Sequence, residues 1–149
     1  MQLADLITPN DVVFGVREAD IGAAAARLLR TTLPHHGLDA AEVERLVQAV
    51  LTRERETSTL CGAIAIPHAR DARVPEFIVA IGINAEGVTE AAGAPRVLIA
   101  FLSPEARRAE HLELLARLAR LSRDQEAISA IAGAKEASTV LEIIRERPR

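Results

Sequence analysis

Two histidines and a hydroxyl-rich loop carry the residues of this sequence best suited to chemistry. In "GAIAIPHAR", residues 62–70, four apolar residues run into Pro67 and then His68. Proline has a fixed φ and no N–H, so it ends a strand sharply and defines where the next residue stands. The His68 imidazole is therefore expected at the lip of a sheet. His111, in "SPEARRAEHLELL", falls in the first turn of a predicted helix, where backbone N–H groups favour an anion. Arg53 and Arg55 close another helix at "RERETST", and Ser58 and Thr59 follow in a polar loop.

Taken singly, each has an ordinary structural reading. His68 is a polar residue where a strand surfaces, His111 an exposed residue at a helix start. The arginines compensate a helix C-terminus, and the hydroxyls cap or turn the chain. Taken together they compose a phosphoryl-transfer site. A neutral imidazole accepts a phosphoryl group near neutral pH, and transfer asks for little beyond alignment and stabilised oxygens. The sequence has no phosphate-cradling glycine loop and no paired-carboxylate metal motif, which points to a protein donor rather than a nucleoside triphosphate.

His35 and His36, in "PHHG", read as an exposed loop pair, with no further metal ligands close by. Cys61 is the only cysteine, so no internal disulfide forms, and it reads as a small packed residue in an intracellular protein. No cofactor and no metal are expected.

These groups need elements to hold them. Asp20 caps a predicted helix whose apolar face is Ile21, Ala24, Ala25, Leu28 and Leu29, ending near Leu33 before Pro34. Asp39 caps a second, with Val43, Leu46, Val47, Val50 and Leu51 inward. Strands are predicted near Val12–Val16, over "AIAIP" (63–67), and over the buried runs "FIVAIGI" (77–83) and "RVLIAFL" (96–102). "ETSTLCG" and "DARVPE" read as loops, and "NAEGVTEAAGAP" (84–95) as turn-rich. A long helix is predicted from about Glu110, with Leu112, Leu115, Leu118, Ala119 and Leu121 on its apolar stripe. A short helix ends at Gly133, and a last one is capped near Ser138. The order β, α, α, β, β, β, α, α, α makes one α/β (α+β) domain with a mixed sheet.

Composition narrows the function. The formal charge is −3, unlike a basic nucleic-acid binder. There is no Trp or Tyr and only three Phe, which removes stacking platforms for bases and sugars. No apolar run approaches the length of a membrane span, and the N-terminus lacks a secretory pattern. A cytoplasmic protein, with no nucleic acid and no membrane insertion, is the expectation.

The stretch "RERETSTLCGAIAIPHAR" resembles the enzyme IIA domains of the phosphoenolpyruvate-dependent sugar phosphotransferase system, in their fructose, mannitol and nitrogen-regulatory group. Arg53-Glu54, Ser58-Thr59 and Ile64 to His68 match that family's first motif, and "HLELLARLARLSRD", His111 to Asp124, matches its second. The loop from Thr59 to His68 is one residue shorter than the family's, keeping only Gly62 of its glycines, and Ala69 replaces the glycine common after the histidine.

The resemblance implies the mannitol/fructose-type IIA fold over residues 1–149, with about five strands flanked by helices. It implies that His68 takes phosphate from HPr or its nitrogen-type relative and passes it to a IIB domain or holds it as a signal. His111 would orient the phosphate. Arg53, Ser58 and Thr59 would bind phosphate or partner. The competing reading is a free-standing, nitrogen-type regulatory module that binds target proteins with weak or lost phosphotransfer. A metal-binding or hydrolytic protein using Cys61, His68 and His111 is a distant third.

Overall fold

The computed structural model describes residues 2–86 and 95–147. Among the described residues are six strands: β1 Val12–Phe14, β2 Leu60–Cys61, β3 Ile64–Ala65, β4 His68–Asp71, β5 Ile78–Ile83 and β6 Val97–Pro104. Five helices flank them: α1 Ile21–Thr32, α2 Ala40–Glu56, α3 Arg108–Ser122, α4 Gln125–Gly133 and α5 Ala137–Arg145. The sheet runs β1-β5-β6-β3-β2, with β4 also paired to β6. It is mixed as expected: β5 and β6 are antiparallel, whereas β1 with β5, and β3 and β4 with β6, are parallel.

Every residue of β5 and β6 is buried, as their continuous apolar runs require of strands covered on both faces. Odd-numbered residues such as Val79, Ile81, Ile99 and Phe101 face a core made with α3, α4 and α5. Even-numbered ones such as Ala80, Leu98 and Leu102 face α1 and α2. Asp20 and Asp39 cap α1 and α2 as predicted, accepting hydrogen bonds from Ala23 N–H at 2.7 Å and Glu42 N–H at 2.9 Å.

Several boundaries differ from expectation. β1 stops at Phe14, because Gly15 turns with φ 74°. Leu60–Cys61, expected in a loop, pairs antiparallel with Ile64–Ala65 around Gly62, whose φ of 58° makes the turn. The strand predicted to finish at Pro67 instead continues. β3 and β4 run along β6 in one register, from Ile64 opposite Val97 to Asp71 opposite Pro104, so His68 lies within the sheet.

β6 extends through Ser103 and Pro104, and α3 begins at Arg108 rather than Glu110. The α5 cap position is Glu136, with no side-chain bond, rather than Ser138. On α3 the buried face is His111, Leu114, Leu118 and Leu121, while Leu112 is exposed, contrary to the apolar stripe expected. His35 and His36 are exposed as expected, and His36 Nε2 also reaches Oδ1 of the fully buried Asp11 at 2.6 Å. Of the turn-rich 84–95 stretch, residues 87–94 lie outside the described residues.

Candidate functional site

Pro67 explains how His68 is presented. Without an N–H it interrupts the ladder between β3 and β4, yet its carbonyl still accepts from Phe101 N–H at 3.1 Å. The strand thus keeps its place against β6 across the interruption. Ile66 is bound on both sides of this point: its N–H donates to Thr59 O at 3.1 Å, and its carbonyl oxygen lies 2.7 Å from His68 Nδ1. A carbonyl oxygen only accepts, so Nδ1 carries the proton and the lone pair is on Nε2.

The His68 ring lies flat on Phe101, its register partner in β6, with centroids 4.8 Å apart and planes 6° from parallel. His111 comes in from α3 on the same side of the sheet. Its ring centroid is 5.5 Å from those of both His68 and Phe101. His111 Nδ1 meets Ser103 Oγ at 2.6 Å, and Ser103 is fully buried. When Ser103 donates in this bond, His111 keeps its proton on Nε2. The first turn of α3 is steadied by Arg107, which donates from Nε to Glu110 at 2.6 Å and lies 5.0 Å over the Phe77 ring. The loop before it is tied to β4 by Glu105 N–H donating to Asp71 O at 3.2 Å.

Both imidazoles are buried and both are held neutral. Burial lowers the pKa of His68, opposed by the Ile66 hydrogen bond; Arg53 lowers it further and Glu54 raises it. Burial pushes His111 down to about 4, helped by His68, Arg70, Arg108 and Arg53. Neutral imidazoles with arginines nearby are chemically suited to donate hydrogen bonds to an oxyanion.

The other residues expected here are placed as follows. Arg53, at the end of α2, acts on both histidines, and its Nη1 donates to Thr57 O at 3.5 Å. Thr59 is held by Glu54, donating to it from the hydroxyl at 2.6 Å and from the backbone N–H at 3.1 Å. The Ser58 hydroxyl accepts from Leu60 N–H at 3.2 Å, and its side chain lines a groove with Asp20, Leu51 and Arg55. No contact joins Ser58 to either imidazole among the described residues. Cys61 packs at the core edge, its Sγ 3.4 Å from Ser122 Oγ. Among the described residues no three His, Cys, Asp or Glu side chains gather as a metal site would require.

Sequence reasoning missed Phe101, Ser103 and Glu54. The first two lie two residues apart on one strand, and so on one face, which the period of a longer β6 would have disclosed. Glu54 was visible only as half of an Arg-Glu pair.

Comparisons with known proteins bear on the family and the fold. A family model described as "Phosphoenolpyruvate-dependent sugar phosphotransferase system, EIIA 2" matches residues 7–147. A nitrogen regulatory protein of Bradyrhizobium diazoefficiens is 29% identical, over 99% of this chain and 97% of its own. The crystal structure of nitrogen regulatory protein IIA-Ntr from Neisseria meningitidis superposes with a TM-score of 0.75 at 25% identity, over 95% of this chain and 98% of that one. The IIA chain in the Escherichia coli complex of enzyme IIA-mannitol with phosphorylated enzyme IIB-mannitol shares the fold. Its TM-score is 0.76 at 24% identity, over 95% of this chain and 98% of that one.

Proposed function

The chain belongs to the EIIA 2 family of the phosphoenolpyruvate-dependent sugar phosphotransferase system, and on that premise we propose that it is a phosphohistidine carrier working through His68. The observation that carries the reading is the hydrogen bond from His68 Nδ1–H to Ile66 O, which leaves Nε2 as the nucleophile.

In the proposed step the donor is the phosphohistidine of an HPr-type protein. The lone pair of His68 Nε2 attacks phosphorus, the bond from phosphorus to the donor nitrogen breaks, and that nitrogen takes back its electron pair. Positive charge arising on the His68 ring is met by Ile66 O at Nδ1. His111 Nε2–H donates to a phosphoryl oxygen while Ser103 donates to Nδ1, and Arg53 opposes the charge on the oxygens. Thr59, fixed by Glu54, steadies the loop that carries Ser58 to the partner. The phosphate then passes to a IIB-type domain. A solved relative, the mannitol IIA, is in complex with phosphorylated IIB, which supports that class of acceptor.

A second reading has its own support. The relative matched along nearly its whole length is a nitrogen regulatory protein, which favours phosphate on His68 acting as a signal to target proteins.

Phosphoenolpyruvate with enzyme I and HPr tests the chemistry, read by intact mass and by nitrogen-15 NMR of the imidazoles. One acid-labile phosphate on His68 Nε2, absent from His68→Ala, is expected. A folded wild type that takes no phosphate, or takes it on Nδ1, overturns the carrier reading. Partner capture compared between wild type, His68→Ala and His68→Glu then separates the two roles, because a regulator changes partners with the charge at residue 68.

A further inference from the structure

Two neighbouring residues of β4 grip the backbone of one residue in the loop that leads to α3. The Arg70 guanidinium donates to the backbone oxygen of Glu105, and Glu105 N–H donates to the backbone oxygen of Asp71 at 3.2 Å. Asp71 closes β4 three residues after His68, and Glu105 stands six residues before His111. The junction therefore joins the two segments that carry the histidines.

Asp71 is itself fixed from the other side of the sheet. Successive strand residues alternate between faces, so His68 lies on the face of Phe101 and α3, and Asp71 on the face of Ala69 and α2. There its Oδ2 accepts from Arg45 Nη1 of α2, and its Oδ1 accepts from Arg73 N–H at 2.8 Å. Its backbone oxygen also takes Val74 N–H at 3.3 Å. A line of contacts thus runs from Arg45 through Asp71 to Glu105 and on to the start of α3.

Stability is a weak reason for the ion pair. The Asp71 side chain is 14% exposed and that of Arg45 31%, and Arg45 Nε is buried with no hydrogen-bond partner among the described residues. For a partly buried pair, desolvation offsets much of the attraction, whereas the direction of the contact is retained.

We propose that Arg45 is a positioning residue for phosphoryl transfer: through Asp71 it fixes the Glu105 backbone, and so sets where α3 begins and where His111 stands over His68. The inference rests on the carrier reading of His68. A donor displaced by about 1 Å can slow such a step about a hundredfold. The Ser103 bond still tethers the His111 ring, so a smaller loss is expected here.

The test compares Arg45→Met, which keeps an apolar stem and removes the guanidinium, with Arg45→Lys, which keeps a cation. With a phosphorylated HPr-type carrier, Arg45→Met is expected to slow single-turnover transfer about tenfold at an unchanged half-saturating carrier concentration. Arg45→Lys should recover part of the rate. In Arg45→Met the His111 nitrogen-15 signals should move while those of His68 stay, and the Glu105 amide should exchange faster. A folded Arg45→Met with the wild-type rate overturns the proposal. So does a slowed one whose His111 signals and Glu105 exchange match wild type. Should Arg45→Met not fold, Asp71→Asn, which keeps an acceptor for Arg73 N–H, carries the same comparison. Phosphoramidate labelling reads the His68 chemistry without a partner. If wild type takes phosphate from neither source the carrier reading fails, and the His111 signals and Glu105 exchange still decide whether Arg45 sets the start of α3.

Discussion

The imidazole of His68 and the ring of Phe101 are stacked, 4.8 Å between centroids and 6° from parallel. The stack fixes one ring face, and the Ile66 hydrogen bond fixes the ring's rotation. Phe101→Leu keeps most of the volume and loses the plane. Its expected cost is about 1 kcal/mol of stability, with transfer slowed more than binding of the donor. Phe101→Ala opens a cavity under the site and should cost about 3–5 kcal/mol. Denaturant melts and single-turnover transfer check both. Transfer unchanged in Phe101→Leu would show that the stack is packing alone.

Ser103 Oγ and His111 Nδ1 are both buried, 2.6 Å apart. Ser103→Ala leaves that nitrogen without its partner, at an expected cost of about 1–3 kcal/mol. It also frees the choice of His111 tautomer, so the rate of transfer should fall with the donor's apparent affinity little changed. Ser103→Thr restores the hydroxyl and should recover part of the rate. A purely structural role would lower stability in Ser103→Ala and leave the rate per folded molecule unaltered.

The sequence made some of this site legible and not the rest. Asp20 and Asp39 act locally, three residues from the N–H groups they cap, so their roles could be read directly. "HARD" carries no strand pattern of its own. It is a strand because β6 runs long enough beside it to pair through Pro104. Leu112 fits the helical spacing as well as Leu115 or Leu118, and only the inward turn of His111 decides which leucine is left outside. The bond between His36 and Asp11 joins residues 25 apart in sequence and depends on the fold alone.

Glu54 is expected to position Thr59, whose hydroxyl and N–H both donate to its carboxylate. Glu54→Ala should loosen the loop between α2 and β2 and cost about 1–3 kcal/mol. It also removes the negative charge that raises the His68 pKa, so His68 should titrate lower still. Arg53→Gln should move His68 the opposite way. NMR titration of His68 in both variants checks the pair of signs, and shifts in the same direction would refute the electrostatic assignment.

The pH dependence of stability follows from His111. Burial, then His68 and the arginines, push its pKa from 6.5 to about 4. The unfolded chain binds a proton that the folded chain refuses between those values. Stability from this residue is therefore complete above pH 6.5 and lost as the pH falls towards about 4, by roughly 3 kcal/mol at most. His68 is shifted in the same direction and adds to the same window. The lowered carboxylates, Asp71 and Asp124 among them, lose their share only at lower pH. Denaturant midpoints measured from neutral pH downward should thus fall early in wild type, and less in His111→Gln. A phosphoryl group on His68 places negative charge beside His111 and raises its pKa. In the phosphorylated protein the His111 ring should accordingly titrate higher, read by NMR over the neutral range in which the acid-labile phosphate survives, and a His111 unmoved by phosphorylation would mean that it does not face the phosphate.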